Sequence, residues 1–138
     1  MDIQIYTRSC EGYNEIKFRH IADGIKYELS GSYVPDYGFH GIVISALPAN
    51  AKNKFKYLFK TRNSFATKTW RTSLKFFVVV MELLREEFPS MLANAMVTDK
   101  RRLSCYANWL KKNQFEVLVA KDYQDLTGDE DLWLKFRI

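Results

Sequence analysis

One segment of the chain limits the fold more than any other, because it predicts a helix that is buried on nearly every side. Thr72 or Ser73 can cap this helix, and Pro89 ends it. Residues 76–81 are apolar without interruption, so we expect the helix to be sandwiched in the core. This apolar run is far short of the roughly 20 residues of a membrane span, and we expect none. The apolar stripe at helical spacing consists of Leu74, Phe77, Val78, Met81, Leu84 and Phe88.

Three segments before this helix predict strands. Residues 1–7 alternate between apolar and polar side chains, and residues 39–47 form a mostly apolar run that ends at Pro48. We expect a first strand and a buried strand from these two patterns. Residues 54–60 place aromatic side chains on one face and lysines on the other, which indicates a half-exposed strand.

Residues 15–33 leave two alternatives open. Apolar residues at period two on both sides of Asp23-Gly24 slightly favour a β-hairpin, since this dipeptide is typical of tight hairpin turns. A helix fits nearly as well, because its apolar face would consist of Ile16, His20, Ile21 and Ile25.

The residues after the central helix predict a strand, a second helix and two further strands. The strands are expected at residues 91–97, 116–120 and 131–138, with Gly128-Asp129 in the last connection. Asp99 can cap the second helix. The apolar face of that helix consists of Leu103, Tyr106, Ala107 and Leu110.

These elements predict one mixed α/β domain over residues 1–138. A length of 138 residues suits a single domain, and no repeat, low-complexity stretch or linker divides the sequence. The expected architecture is a mixed central sheet with a long central helix and a C-terminal strand-helix-strand-strand unit.

The order of these elements resembles that of the GNAT superfamily of acyl-CoA N-acyltransferases, over roughly residues 38–138. The most specific part is residues 99–118, where Gln114-Phe115 stands in the place of the family's Gly-Phe. In that family, the tyrosine that often protonates the leaving thiolate lies five residues before the phenylalanine, and this position is Leu110 here. The resemblance therefore implies a GNAT-like fold without its general acid. Tyr106 lies one turn earlier, and we interpret it as a core residue rather than a replacement acid.

The sequence also lacks the glycine-rich loop of that superfamily. The family's glycines let backbone N–H groups approach the coenzyme pyrophosphate at a helix N-terminus. The nearest window is residues 62–67, where Phe65 and Thr67 fill the two glycine positions, and no glycine lies between Gly41 and Gly128. Side chains can bind phosphate as well, so a looser site stays open as an alternative, formed by Arg62, Lys68, Thr69 and Arg71.

No catalytic or metal-binding residue is assigned. An amine nucleophile needs a general base, yet the sequence has no Asp or Glu between Asp36 and Glu82. His40 is the one residue in this stretch that commonly acts as a base near neutral pH, and a lone histidine beside an apolar strand is more often structural. The remaining candidates for metal ligands lack the paired spacing of zinc sites; they are Cys10, His20 and Cys105. A chain with only two cysteines is typical of a reducing compartment, and we expect the cytoplasm.

The strongest charge feature is a basic run. Residues 37–81 contain eight Lys or Arg residues and no acid, in a chain of net charge +5. Such a run can contact nucleic acid phosphates or an acidic protein surface, or it can be a solvated face. The acidic residues of segment 122–131 offer one such surface on the chain itself, which would allow self-assembly. We interpret the centre of this contact surface as a loop before the central helix. The predicted contact surface comprises Lys54, Lys56, Lys60, Arg62, Lys68, Thr69, Trp70 and Arg71.

Three functions follow in order of preference. Residues 50–118 resemble small internal virion proteins of short-tailed bacteriophages, including the pattern Trp109-Leu110-Lys111-Lys112. This resemblance implies a non-enzymatic structural or interaction protein of a virion or of assembly in the host cytoplasm, without a cofactor and with a protein partner or a second copy of itself. The alternative is a divergent N-acetyltransferase that uses acetyl-CoA. The third function is a nucleic-acid-binding module.

Overall fold

The structure is a computed structural model that describes residues 1–35, 37–50, 64–97, 100–124 and 130–138. Side chains are described within these ranges except at 40–41, 64–70, 96–97, 100–102, 119–124 and 130–133. The elements in chain order are β1 (Gln4–Cys10), β2 (Tyr13–Ala22), β3 (Ile25–Val34), β4 (Gly38–Pro48), α1 (Ser64–Glu87), β5 (Leu92–Val97), α2 (Lys100–Lys112), β6 (Glu116–Gln124) and β7 (Glu130–Arg137). The predicted mixed α/β class is confirmed.

The strands form one seven-stranded sheet in the order β1-β2-β3-β4-β5-β7-β6. The pair β4–β5 is parallel and every other pair is antiparallel. Gly38 opens β4 with a φ of 122°, and a Cβ at this position would lie 2.5 Å from the carbonyl oxygen of Leu92. A residue without a side chain is therefore needed where β4 and β5 first approach each other.

Residues 15–33 form a β-hairpin, and the helical alternative is wrong. Ala22 pairs with Ile25, and the two turn residues, Asp23 and Gly24, have φ values of 53° and 73°. Two successive residues with positive φ are the signature of a type I′ turn, whose twist matches that of the flanking strands. The short-range turn signal therefore prevailed over the helical spacing of the apolar residues.

Both helices pack on one face of the sheet. The ring of Phe76 on α1 lies 6.2 Å from that of Tyr27 on β3. Its neighbour Phe77 stacks on Tyr106 of α2 with ring centroids 4.5 Å apart. The four apolar residues expected on α2 are all buried, as predicted, and so are Phe76, Phe77, Val80, Met81 and Leu84 of α1. Leu74, Val78 and Phe88 are half-buried, and Arg71, Lys75 and Glu82 are exposed, so α1 is buried on one side rather than on nearly every side. Within the described part of the chain, neither helix combines the length and apolarity that a bilayer span needs.

Helix α1 begins at Ser64, earlier than the cap predicted at Thr72 or Ser73. The interpretation of residues 68–71 as a surface loop is therefore wrong. No glycine or proline interrupts residues 64–88, so no helix-breaking residue separates 64–71 from the rest of the helix. The first turns of α1 are polar, and for that reason they lack the apolar spacing by which a helix is predicted. The predicted strand at 54–60, the cap at Asp99 and the Gly128-Asp129 connection lie outside the described residues.

Candidate functional site

Leu110 occupies the position at which the resemblance to acetyltransferases would place a general acid, and it is 0% exposed. It lies in the same core cluster as Phe77, Phe115 and Phe136. An aliphatic side chain offers no proton, and its surroundings are apolar. This position therefore contributes packing rather than proton transfer.

Tyr106 also lies in the core, as predicted. It is 4% exposed, and its ring stacks on Phe77 with an interplanar angle of 26°. Trp109 meets the same Phe77 ring edge-on, with centroids 5.6 Å apart. Aromatic pairs of these geometries add to the stabilisation from burial, so the aromatic residues of α2 join the two helices to each other.

At the end of α2, Gln114 adopts a left-handed backbone conformation. Gln114 has a φ of 68°, in the left-handed region that glycine adopts without strain. The amide of Phe115 donates to the carbonyl of Leu110 at 2.9 Å, and the amide of Gln114 donates to that of Lys111 at 3.3 Å. This pair of hydrogen bonds defines a Schellman motif. The motif ends α2 with a residue that carries a side chain in the left-handed region.

Two residues are candidates for the general base of acyl transfer. His40 belongs to β4 and pairs with Ser32 on β3, and its side chain lies outside the described set. A carboxylate that is buried among the described residues is Glu28 on β3, which is 3% exposed. Glu28 was not identified as a candidate from the sequence, because it lies in a strand whose polar face would ordinarily be exposed.

The carboxylate of Glu28 lies at the centre of a cluster of cations. Its Oε2 is 3.5 Å from Nζ of Lys17 and 3.6 Å from a terminal guanidinium nitrogen of Arg19, both on β2. Its Oε1 is 3.3 Å from Nζ of Lys26. The signal in the sequence is the alternation of charged residues along the hairpin, at positions 17 and 19 of one strand and 26 and 28 of the next. This alternation places the four side chains together on the sheet face opposite the helices.

An open cavity of about 550 Å³ lies on that same face, over β1, β2 and β3. Arg8 of β1 reaches it and forms an ion pair with Glu15 at 3.1 Å. The pKa of Arg8 is raised above its usual value, first by a side-chain hydrogen bond with Cys10 and then by nearby charges that include Glu15. Arg8 is therefore cationic over the whole neutral range. The other side chains that line the cavity from this face are Tyr6, Lys17, Arg19, Ser30 and Ser32.

Only part of the predicted basic contact surface falls within the described residues. Arg71 is exposed on α1, and Lys75 is exposed one turn later. Lys68 precedes Arg71 by three residues in the same helix, a spacing that places both positions on one helical face. Thr69 and Trp70 also belong to α1, while the positions that lie outside the described residues are Lys54, Lys56, Lys60 and Arg62.

The candidate metal ligands do not come together. His20 Nδ1 lies 2.8 Å from the backbone oxygen of Asp2, and its ring stacks beside Tyr27. Cys10 and Cys105 are both free thiols. No group of three or more metal-ligating side chains occurs in the described ranges.

The two edge strands of the sheet differ in how well they are protected against pairing with a strand of another chain. Strand β1 lies at one edge, pairs regularly with β2 over all seven residues and is exposed along nearly its whole length. It contains no lysine or proline. Strand β6, at the other edge, carries a register shift between Val117 and Val119, and such irregularities discourage pairing with another chain. By this criterion, β1 is the less protected edge.

Comparisons of the chain with protein families, curated proteins and solved structures gave no significant match.

Proposed function

We propose that this chain is a non-enzymatic structural or interaction protein built on a GNAT-like fold. The observation that carries the proposal is the burial of Leu110, which fills the place of the acid with a core side chain. An acyltransferase needs a proton donor and a base at the reacting groups, and the side chains around Leu110 are apolar. The resemblance of residues 50–118 to small phage virion proteins extends the proposal to a component of a virion or of its assembly.

The order of elements supports the fold part of the proposal. Among the described residues from 38 onward, a strand, a helix, a strand, a second helix and a strand pair occur in this order, which is the order that the resemblance to the superfamily implies for residues 38–138. The left-handed Gln114 before Phe115 gives further support, because the Gly-Phe pattern of the family requires this backbone conformation at its glycine.

The interaction part of the proposal places a second copy of this chain on the β1 edge. Two β1 strands that pair antiparallel about Thr7 would set Tyr6 of each copy opposite Arg8 of the other, a favourable cation–π pair. The pairing would also cover Ile5, which is 52% exposed. A two-fold interface of this kind is closed and self-complementary. The second candidate is nucleic acid bound at the basic face of α1, which the exposure of Arg71 and Lys75 favours.

The competing enzymatic function is tested by titrating acetyl-CoA into the protein in a calorimeter. We expect no saturable heat at coenzyme concentrations up to about 1 mM, which corresponds to a binding free energy weaker than about −4 kcal/mol. The variant Leu110→Tyr should remain inactive and be less stable by roughly 1–3 kcal/mol, because a larger side chain is forced into a filled core. Micromolar binding of acetyl-CoA, or acetyl transfer by Leu110→Tyr, would show that the chain is a divergent acetyltransferase.

The partner is tested by sedimentation and by fluorescence anisotropy with a DNA oligonucleotide. The variant Ile5→Lys should abolish self-association, because an inserted lysine protects an edge strand, while Arg71→Glu with Lys75→Glu should leave it unchanged. The matched control is Lys111→Glu with Lys112→Glu, which makes the same charge change at exposed positions of α2. A monomeric wild-type protein whose DNA binding is lost in the α1 variant alone would favour the nucleic-acid function instead.

A further inference from the structure

We propose that the cavity over β1–β3 is a binding site for a small organic phosphate. The cavity lies on the sheet face opposite both helices, and therefore on the other side of the sheet from Leu110 and from the basic face of α1. Its volume of about 550 Å³ falls within the range of small-molecule sites. The inference goes beyond the proposed function, although two residues of the cavity, Tyr6 and Arg8, also lie at the β1 edge proposed for self-association.

The charges at this face do not balance. Four cations line the cavity or surround Glu28, and two carboxylates oppose them: Glu15, which lines the cavity, and Glu28, which pairs with two of its lining cations. The described residues therefore leave an excess of two positive charges, which equals the charge of a phosphate monoester dianion. The cations are Arg8, Lys17, Arg19 and Lys26.

Three of these cations are partly buried around Glu28, whereas Arg8 is exposed at the rim of the cavity. Glu28 binds Lys17 and Arg19 through the same carboxylate oxygen, so their charged groups converge on one side of the cavity. Arg19 is 27% exposed and its Nε is a buried donor that makes no hydrogen bond to the described residues. Excess charge that is partly removed from water is costly unless an opposite charge is supplied. A bound dianion would supply it.

Phosphate is the anion that these side chains suit best. Arginine guanidinium groups and a lysine ammonium form short, charge-assisted hydrogen bonds to phosphate oxygens. The hydroxyl groups of Ser30 and Ser32 line the same cavity and can donate to the remaining oxygens. A monocarboxylate would neutralise only half of the excess and would use fewer of these donors.

The cavity also has room and an apolar wall for an organic group. The ring of Tyr6 lies on the β1 side, 46% exposed, with the Arg19 guanidinium 5.0 Å from its centroid. The Tyr6 hydroxyl donates to the side-chain oxygen of Gln4 at 3.0 Å. A ring in this position can cover the apolar part of a ligand. The ligand is therefore a phosphate ester of a small molecule rather than free phosphate.

The test is a calorimetric titration of phenyl phosphate, with benzoate and inorganic phosphate as comparison ligands, in a low-salt buffer without other multivalent anions. We expect saturable binding of phenyl phosphate, at least about tenfold tighter than that of either comparison ligand. No saturation below about 10 mM phenyl phosphate would overturn the proposal. Inorganic phosphate that binds as tightly as phenyl phosphate would also contradict it, because the organic group would then have no role.

Two variants change the charge of the cavity in opposite directions. Lys17→Met should weaken phenyl phosphate binding about tenfold, because one charge-assisted contact is lost. Glu15→Gln should tighten it several-fold, because a negative charge leaves the rim, and a gain of affinity cannot result from misfolding. The matched control Lys111→Gln removes an exposed charge on α2 and should change the affinity less than about twofold. Equal losses in Lys17→Met and Lys111→Gln would show attraction by net charge without a site. A loss of affinity in Glu15→Gln would also contradict the proposal, because Glu15 would then contribute to binding instead of opposing it.

Discussion

The two faces of the sheet come from the same strands but are stabilised in opposite ways. On the helix side, buried aromatic and aliphatic side chains contact one another, as Phe18 and Leu29 do across β2 and β3. On the other side, Arg19 lies opposite Glu28 in the next register position. The helix side gains its stability from the removal of apolar area from water, whereas the charged side depends on how well its cations are matched by carboxylates. The first face specifies the fold, and the second is available for a ligand.

The largest expected effect comes from the helix side. Phe77→Ala should lower the free energy of unfolding by about 3–5 kcal/mol, because it removes a buried ring that contacts both Tyr106 and Trp109. The control Lys75→Ala, an exposed residue on the same helix, should change it by less than about 0.5 kcal/mol. Urea denaturation followed by circular dichroism gives both values. A cost below about 1 kcal/mol for Phe77→Ala would mean that α1 does not pack as described.

The sharpest comparison of the two faces uses two isoleucines on β2. Ile16 is 6% exposed on the helix side, whereas Ile21 is 52% exposed on the charged side. Ile16→Thr should cost about 2–3 kcal/mol, because it removes buried apolar area and places a hydroxyl in the core. Ile21→Thr should change the free energy of unfolding by less than about 0.5 kcal/mol. Equal costs at the two positions would refute the assignment of faces.

Local patterns predicted most of the elements, because the physical causes of those elements are local. The Asp23-Gly24 turn has a type I′ geometry that few other dipeptides accommodate. The spacing of Leu103, Tyr106 and Leu110 on α2 matches one helical face, and all three are buried. The start of α1 was misplaced by eight residues or more, since a polar helical turn and a loop have similar compositions.

The candidate site could be predicted less well than the fold. Alternation along the hairpin showed that Lys26 and Glu28 share a face, but not that Glu28 would be buried. The Asp23-Gly24 turn sets the register that brings Lys17 and Arg19 of β2 beside Glu28, whereas the burial of the carboxylate follows from no local pattern. Arg8 reaches the cavity through a second tight hairpin, in which Cys10 pairs with Tyr13 across Glu11-Gly12, and this turn was not predicted.

A smaller effect is expected at the centre of the charged side. Glu28→Gln should destabilise the protein by about 1–2 kcal/mol, since three cations lose their shared carboxylate. The loss is below that of a fully buried pair because the cations are partly solvated. Sodium chloride should reduce the difference from wild type by screening the remaining repulsion, whereas it should leave the effect of Phe77→Ala unchanged. A salt-independent loss would indicate that Glu28 acts through packing.

The smallest effect should come from removing one of the cations that surround Glu28. Lys17→Met keeps the aliphatic stem, which packs on the sheet, and removes only the ammonium group. Glu28 retains Arg19 and Lys26 as partners, so the attraction that is lost is partly offset by reduced repulsion among the cations. The free energy of unfolding should therefore change by less than about 0.5 kcal/mol, well below the cost of Glu28→Gln.

This asymmetry between anion and cation tests the charge excess itself. If the cluster were balanced, removal of Lys17 would leave a carboxylate without sufficient positive charge and would cost as much as removal of Glu28. Denaturation curves of the two single variants in the same low-salt buffer distinguish these cases. A loss in Lys17→Met that equals or exceeds that in Glu28→Gln would show that the charged side has no surplus of cations, and the electrostatic basis for a bound dianion would then be removed.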